Sequence, residues 1–160
     1  MDTKRFKRLN YTAISPDLYK ALSGLEMYVH SSKLEDSLLE LVKLRASQIN
    51  QCGWCIDMHT KDALINGESS QRLFLVSSWR DAPQFSQREK LALEWCEAIT
   101  NISKSDVDDV LYQKMSNEFG EKELVALTAS VVAINAWNRF NIAFRAIPGT
   151  YEPKNDTIKK

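Results

Sequence analysis

The chain has 160 residues, of which 44% are hydrophobic, and its 21 basic and 21 acidic side chains give a formal net charge of zero. A chain of that length suits one domain with a substantial core, so disulfide staples are not required. The balanced charge excludes the strongly basic class of nucleic-acid-binding proteins, so small molecules and other proteins are the expected partners.

Two further features of the sequence indicate where in the cell the protein is located. No run approaches the roughly 18 apolar residues that a membrane span requires, and residues 1–8 lead into polar sequence instead of the apolar segment of a secretory signal. With three cysteines, two of them in Cys-x-x-Cys spacing, the chain lacks a structural disulfide framework. These features predict a cytoplasmic protein with no membrane partner, in which Cys96 fills the core.

Helical spacing of apolar residues runs through almost the whole chain, and only five glycines and four prolines interrupt it. The sequence therefore predicts a compact all-α domain over residues 15–147. An N-terminal segment, residues 1–14, precedes this domain, and a polar tail, residues 148–160, follows it. The tail is expected to be frayed.

The first half of the domain is predicted to hold four helices. Pro16 occupies a first helical position that tolerates proline, and that helix runs to about residue 30. An apolar stripe over residues 34–49 predicts the second helix. The third begins near Cys52 and ends at Gly67 as a C-terminal cap, and a short helix covers about residues 70–77.

The second half is predicted to hold three more helices. Ser86 and Glu89 have the spacing of a capping box that opens a helix to about residue 100. Acidic residues place the first turn of the next helix near residue 105, and it ends near Gly120. The last helix, about residues 121–147, is apolar around most of its circumference, which indicates a central helix or one covered by another subunit.

The segment Cys52-Gly53-Trp54-Cys55, followed by His59, carries the chemistry of this chain. In a helix the two thiols share a face, and His59 lies one turn after Cys55. Such a pair can close into a disulfide, and a nearby imidazole can take or return a proton, so the pattern favours a redox site. A structural zinc site and inert buried cysteines are the alternatives, although Cys96 and His30 are too isolated to supply an obvious fourth zinc ligand.

Glu40 is a further candidate. If the second and third helices form a hairpin that turns near residues 49–51, Glu40 and His59 are about equally far from the turn and face each other. The carboxylate would then favour protonated histidine, which in turn favours a neighbouring thiolate. The helical wheel favours the opposite interpretation, an exposed surface glutamate, because Glu40 lies far from the apolar stripe. Trp54 is interpreted either as a wall over the thiols or as a packing aromatic.

The stretch from Glu40 to His59 closely resembles the core motif of AhpD-like alkylhydroperoxidases, in the carboxymuconolactone decarboxylase superfamily. That motif is a glutamate twelve residues before the first cysteine, followed by Cys-x-x-Cys-x-x-x-His. A looser likeness continues through residues 85–89 and 134–139 and covers most of residues 10–146. The resemblance implies an AhpD-like bundle of about six to eight helices that commonly assembles into trimers or hexamers.

The resemblance also implies a peroxidase that reduces hydroperoxides. Cys55 is the peroxidatic thiol that becomes a sulfenic acid, and Cys52 resolves it to a disulfide and donates protons. His59 and Glu40 form the proton relay. The implied reductant is a dithiol or a lipoyl-bearing protein, and no cofactor or metal is expected. Where some members carry a second histidine this chain has Trp54, which is expected to line the substrate pocket and to change the relay or the substrate.

Position along the helix favours the other thiol. Cys52 lies nearer the helix N-terminus, where a thiol pKa is lowered most, so the assignment of Cys55 follows the family and its spacing from His59. Two other functions stay open. A decarboxylase-like or lactone-processing enzyme would not need two thiols, and a redox-sensing or disulfide-exchange module would use the same thiols on a protein partner.

Overall fold

The computed structural model describes residues 7–153. Seven α-helices and one 3-10 turn make up this range, which contains no β-strand, so the all-α prediction is confirmed. The elements are α1 (Tyr11–Ile14), α2 (Pro16–His30), α3 (Asp36–Ile49), α4 (Gly53–Ile65), α5 (Ser70–Leu75), the 3-10 turn (Val76–Ser78), α6 (Gln87–Thr100) and α7 (Asp109–Phe144). Across these residues, no helix is both long enough and apolar enough to span a membrane.

Local capping sets several helix starts. The Ser86 side chain accepts from the Glu89 amide, and the Glu89 carboxylate accepts from the Ser86 amide, so α6 opens with a complete capping box. Ser69 caps α5 through its side chain, and Pro16 is the first residue of α2. These are the starts that the sequence predicts, because the stabilising groups are within a few residues of one another.

A tight turn joins α3 to α4. Asn50 is the C-cap residue of α3, and Gln51 has a left-handed backbone with φ of 58°. The Cys52 amide then donates to the Ser47 carbonyl oxygen at 2.9 Å, which closes the last turn of α3. The turn folds α4 back along α3 as a hairpin and places Cys52 at the start of α4.

Helix α3 is the centre of the molecule, because it packs against α4, α6 and α7. Its side chains belong to two apolar clusters. Leu39 and Val42 join the larger cluster with α6 and α7, whereas Leu41 and Leu44 join the smaller cluster with Trp79. A helix that is buried on most sides leaves few exposed positions for polar side chains.

A polar contact fixes α7 against the α3–α4 turn. Asn138 is fully buried on α7, donates to the Ser47 hydroxyl at 3.1 Å and accepts from the Asn50 side chain at 2.9 Å. Buried polar groups require such partners, so this contact sets the position of α7 along the hairpin.

Helix α7 corrects two predicted boundaries. It begins at Asp109, not near residue 105, because the Asp108 side chain caps it by accepting from the Leu111 amide at 2.8 Å. It ends at Phe144, not residue 147, where Arg145 takes a left-handed conformation. The predicted break near Gly120 corresponds to a kink, because Gly120 has non-helical angles of φ 64° and ψ 174°.

The described parts of both terminal segments are packed against the domain. The N-terminal segment contains α1, which the sequence analysis does not predict. The expectation of a frayed tail is wrong for its first residues, since Gly149 donates to the Asp57 carboxylate and Tyr151 donates to the Asp62 carboxylate. Tertiary hydrogen bonds to α4 therefore order this polar stretch. Residues 1–6 and 154–160, which also belong to the predicted segments, lie outside the described residues.

Two predictions concern apolar side chains. Cys96 is fully buried and donates its S–H to the Val42 carbonyl oxygen at 3.3 Å, so its role in the core is confirmed.

On α7, Val125, Val132 and Ile142 are about half exposed in the described chain. The expected trimer or hexamer that would cover such a surface stays a prediction.

The buried contact of Asn138 provides a stability test. Asn138→Ala removes two buried hydrogen bonds, one to the Ser47 hydroxyl and one from the Asn50 amide, which is expected to lower the free energy of unfolding by about 1–3 kcal/mol. Urea unfolding followed by circular dichroism measures this change. Asn117→Ala, at an exposed position of the same helix, is the control and is expected to change it by less than about 0.5 kcal/mol. Equal effects of the two variants would contradict the structural role of Asn138.

Candidate functional site

The two motif cysteines lie at the N-terminus of α4 and are joined in a disulfide. Cys52 is at the N-cap position of the helix and Cys55 is in its first turn, with Cα atoms 5.4 Å apart. Both residues are buried, at 1% and 0% exposure. The unpaired N–H groups and the positive dipole end of the helix stabilise a thiolate here once the disulfide is reduced.

Glu40 and His59 meet across the α3–α4 hairpin. The His59 Nδ1 atom lies 2.8 Å from Glu40 Oε2, and the two side chains are only 6% and 13% exposed. The interpretation of Glu40 as a surface residue is therefore wrong. A position outside the apolar stripe of α3 is not exposed, because α4 covers that side of the helix.

Charge keeps Glu40 ionised. Burial acts to raise the pKa of Glu40, but the hydrogen bond and charge of His59 and the nearby charge of Lys43 outweigh it, so this pKa is lowered. The ionised carboxylate accepts the Nδ1 proton of His59, which leaves Nε2 as the nitrogen for proton exchange. Within residues 7–153, this buried Nε2 has no hydrogen-bond partner.

Asn141 and Tyr11 complete the surroundings of Cys55. The Asn141 amide donates to Cys55 Sγ at 3.4 Å, and the Tyr11 hydroxyl donates to Asn141 Oδ1 at 2.9 Å. No motif in the sequence predicts either residue. The one sequence signal for Asn141 is the spacing of Asn135, Asn138 and Asn141, three residues apart in the largely apolar C-terminal half of α7, which marks a polar face turned inward.

A cavity of about 780 Å³ adjoins the site. Cys55, His59 and Trp54 are part of its lining. Much of the remaining lining is apolar or aromatic and includes Met58, Ile134, Trp137, Phe144 and Ile147. The volume is within the range of small-molecule binding sites.

A second ion pair, formed by a buried lysine and a partly buried glutamate, lines the same cavity. Lys43 is 2% exposed, and its ammonium group donates to Glu26 Oε2 at 2.7 Å. The Trp137 indole donates to the other Glu26 oxygen at 3.1 Å. These residues belong to no motif, so the sequence does not predict their contact. Their mutual pairing compensates the burial of two charges in an apolar setting.

The C-terminal strap, residues 148–152, passes over the first turn of α4. Pro148 lies so close to Gly53 that a Cβ atom at that glycine would be 3.0 Å from Pro148 Cγ. The Tyr151 ring contacts Trp54 edge-on, with 5.9 Å between ring centroids. Gly53 thus permits the close passage of the strap, which covers the cysteine motif on one side.

The side chains near the two cysteines also determine whether a metal ion could bind. In the part of the chain that the structure describes, no group of three or more His, Cys, Asp or Glu side chains is placed to hold a metal ion. Cys52 and Cys55 are instead bonded to each other.

Comparison with known proteins identifies relatives. The sequence profile described as the carboxymuconolactone decarboxylase family matches residues 16–98. The uncharacterized protein YdfG of Bacillus subtilis is 39% identical over 137 residues, which are 86% of this chain and 93% of YdfG. The uncharacterized protein YnjA of Escherichia coli is 35% identical over 112 residues, which are 70% of this chain and 61% of YnjA.

Two solved structures share the fold. A protein of unknown function from Agrobacterium tumefaciens, described as a candidate antioxidant defence protein AhpD, superposes with a TM-score of 0.86 and 39% identity, covering 91% of this chain and 99% of that one. An uncharacterized peroxidase-related protein from Silicibacter superposes with a TM-score of 0.73 and 18% identity, covering 82% of this chain and 70% of that one. At that identity, the second likeness concerns the fold alone.

The lowered pKa of Glu40 leads to a pH-dependent prediction. Because this pKa is lower in the folded than in the unfolded protein, the ionised group stabilises the fold above the ordinary carboxyl pKa of about 4.3. That contribution is lost as the pH falls through the pKa that Glu40 has in the folded protein. Glu40→Gln is therefore expected to lower the free energy of unfolding by about 1–2 kcal/mol at pH 7.

The difference in free energy of unfolding between wild type and Glu40→Gln is expected to shrink as the pH falls from about 5 to about 3. Urea unfolding at each pH measures it. Glu121→Gln, at an exposed position, is the control and is expected to show no such trend. If the free energies of unfolding of wild type and Glu40→Gln differ by the same amount down to about pH 3, the stabilising role of the ionised carboxylate is contradicted.

Proposed function

Because this chain belongs to the carboxymuconolactone decarboxylase family and has an AhpD-like fold, we propose that it is a thiol-dependent peroxidase that reduces hydroperoxides. One observation carries the proposal. A helix-N-terminal disulfide, Cys52–Cys55, adjoins the buried Glu40–His59 pair at the wall of an apolar cavity. This arrangement combines an activated thiol, a proton carrier and a place for a small molecule.

The first step oxidises Cys55 in the reduced protein. His59 Nε2 takes the thiol proton, and Glu40 stabilises the resulting imidazolium through Nδ1. The Cys55 thiolate attacks the terminal oxygen of the hydroperoxide, so that an S–O bond forms and the O–O bond breaks. The leaving alkoxide receives the proton from His59, which yields an alcohol and the Cys55 sulfenic acid.

The second step closes the disulfide. The Cys52 sulfur attacks the Cys55 sulfenic sulfur, and hydroxide leaves as water with the Cys52 proton. A dithiol then reduces the disulfide by two thiol–disulfide exchanges and is itself oxidised to a disulfide. One hydroperoxide and one dithiol thus become one alcohol, one water and one oxidised dithiol, with no cofactor.

Burial of the sulfurs separates this function from disulfide exchange with a folded protein. Both cysteines are at most 1% exposed, so the surface of a protein partner does not reach them without a rearrangement. A hydroperoxide, a small dithiol or a slender lipoyl arm can approach Cys55 through the cavity, past Trp54. This difference favours the peroxidase over the redox-sensing alternative.

Substitution of each cysteine tests the proposal. Cys55→Ser is expected to lower dithiol-dependent hydroperoxide consumption by at least about 100-fold, because it removes the nucleophile. Cys52→Ser is expected to consume about one equivalent of hydroperoxide per chain without reductant and to retain a sulfenic acid on Cys55, detected by mass spectrometry after trapping with dimedone. Cys96→Ala removes the buried thiol outside the motif and is the control, expected to stay within about twofold of wild type.

Two results would count against these assignments. An undiminished rate in Cys55→Ser would overturn the peroxidase. Sulfenic acid trapped on Cys52 in Cys55→Ser, with none on Cys55 in Cys52→Ser, would reverse the roles of the two cysteines.

A further inference from the structure

A chain of two hydrogen bonds leads from the Cys55 sulfur to two residues that have no part in the proposed peroxidase steps. Asn141, on α7, is 6% exposed and donates an amide hydrogen to Cys55 Sγ at 3.4 Å. Tyr11, on α1, donates its hydroxyl hydrogen to Asn141 Oδ1 at 2.9 Å. Both residues lie outside residues 16–98, the part of the chain that the family profile matches.

The hydroxyl of Tyr11 determines which way the Asn141 amide faces. Burial and, secondarily, Tyr19 raise the pKa of Tyr11, so the hydroxyl keeps its proton at neutral pH and serves as a donor. A donor at Oδ1 leaves the two N–H groups of Asn141 on the other side, facing the sulfur. The amide is therefore oriented as a donor to Cys55 and not as an acceptor.

Tyr11 is itself held in place by α7. Its ring stacks on Phe140 and packs against Phe144, with centroids 5.2 and 5.5 Å away. Arg8, which precedes Tyr11 by three residues, binds to the C-terminal end of α7. Its amide donates to the Phe144 carbonyl oxygen, and its guanidinium donates to the Ala143 carbonyl oxygen. The N-terminal segment thus positions the tyrosine from outside the helical hairpin.

We propose that Asn141 is a catalytic residue that stabilises negative charge on the Cys55 sulfur, and that Tyr11 is a positioning residue that orients the Asn141 amide. The catalytic part rests on the proposed function, in which Cys55 is the attacking thiol. An N–H donor stabilises a thiolate more than a neutral thiol, because a hydrogen bond to a charged acceptor is stronger.

The contact also distinguishes the two cysteines. Helix position alone favours Cys52 as the more acidic thiol. In the described part of the chain, no side chain donates a hydrogen bond to Cys52 Sγ, whereas Asn141 donates to Cys55 Sγ. A stabilised Cys55 thiolate is the available nucleophile toward peroxide.

Other charged groups also act on Cys55 and must stay unchanged in the test. The carboxylate, ammonium and imidazole groups that the helices present to the cavity are Glu26 and His30 from α2, Glu40 and Lys43 from α3, and His59 and Asp62 from α4. Substitutions at Asn141 and Tyr11 keep all six side chains. A change in Cys55 acidity in those variants is then attributable to the hydrogen-bonded series.

The acidity of Cys55 is measured in full-length Cys52→Ser protein, from the pH dependence of alkylation by iodoacetamide. Cys96 does not interfere, because burial raises its pKa to about 12. Adding Asn141→Ala is expected to raise the Cys55 pKa by about one unit, and adding Tyr11→Phe by about half a unit, since the ring packing is kept while the amide loses its orienting bond. If Asn141→Ala does not fold, as judged by circular dichroism, Tyr11→Phe alone decides the test.

Asn117→Ala is the control, because Asn117 lies at an exposed position of the same helix and takes no part in the contact with Cys55. It is expected to leave the Cys55 pKa within about 0.3 units. A pKa that does not move in Asn141→Ala and Tyr11→Phe, or that moves equally in Asn117→Ala, overturns the inference. Alkylation requires no peroxide, so a protein that shows the expected shift but consumes no hydroperoxide would overturn the proposed function and keep the Asn141 contact.

Discussion

The closing bond of α3, from the Cys52 amide to the Ser47 carbonyl oxygen, is the constraint on which the site depends. Together with the left-handed Gln51, it sets how far α4 is displaced along α3, and therefore which residues face each other. That register brings Glu40 to His59. Asn138 bonds to the same turn, so the position of α7 is tied to it, and Asn141 one helical turn later reaches Cys55.

Pairing of buried polar groups governs the chemistry of the cavity. Glu40 is bonded to His59, Lys43 to Glu26, and Tyr11 to Asn141, so each polar group finds a partner away from water. The Nε2 atom of His59 is buried without one in the described structure. An unpaired nitrogen on an otherwise oriented imidazole is the form that a proton carrier requires.

The two chain ends contribute to the site without carrying any motif. Tyr11 approaches Cys55 through Asn141, and the C-terminal strap passes over Gly53 and contacts Trp54. Ordered terminal segments of this kind exclude water from the thiols and narrow the approach to the cavity. Under the proposed function, the same cover favours small or slender reactants over the surface of a folded partner.

The sequence by itself determined the helices whose signals are local, including the Pro16 start, the Ser86 capping box and the break at Gly120, and it located the cysteine motif at a helix N-terminus. It could not decide the burial of Glu40, because the helical wheel counts the apolar stripe of one helix and not the neighbour that covers its other side. The tertiary structure decided that burial, the Asn141 and Tyr11 contacts and the order of the strap. The physical reason is sequence separation: these hydrogen bonds join residues 19, 86 and 130 positions apart, where no local propensity or spacing acts.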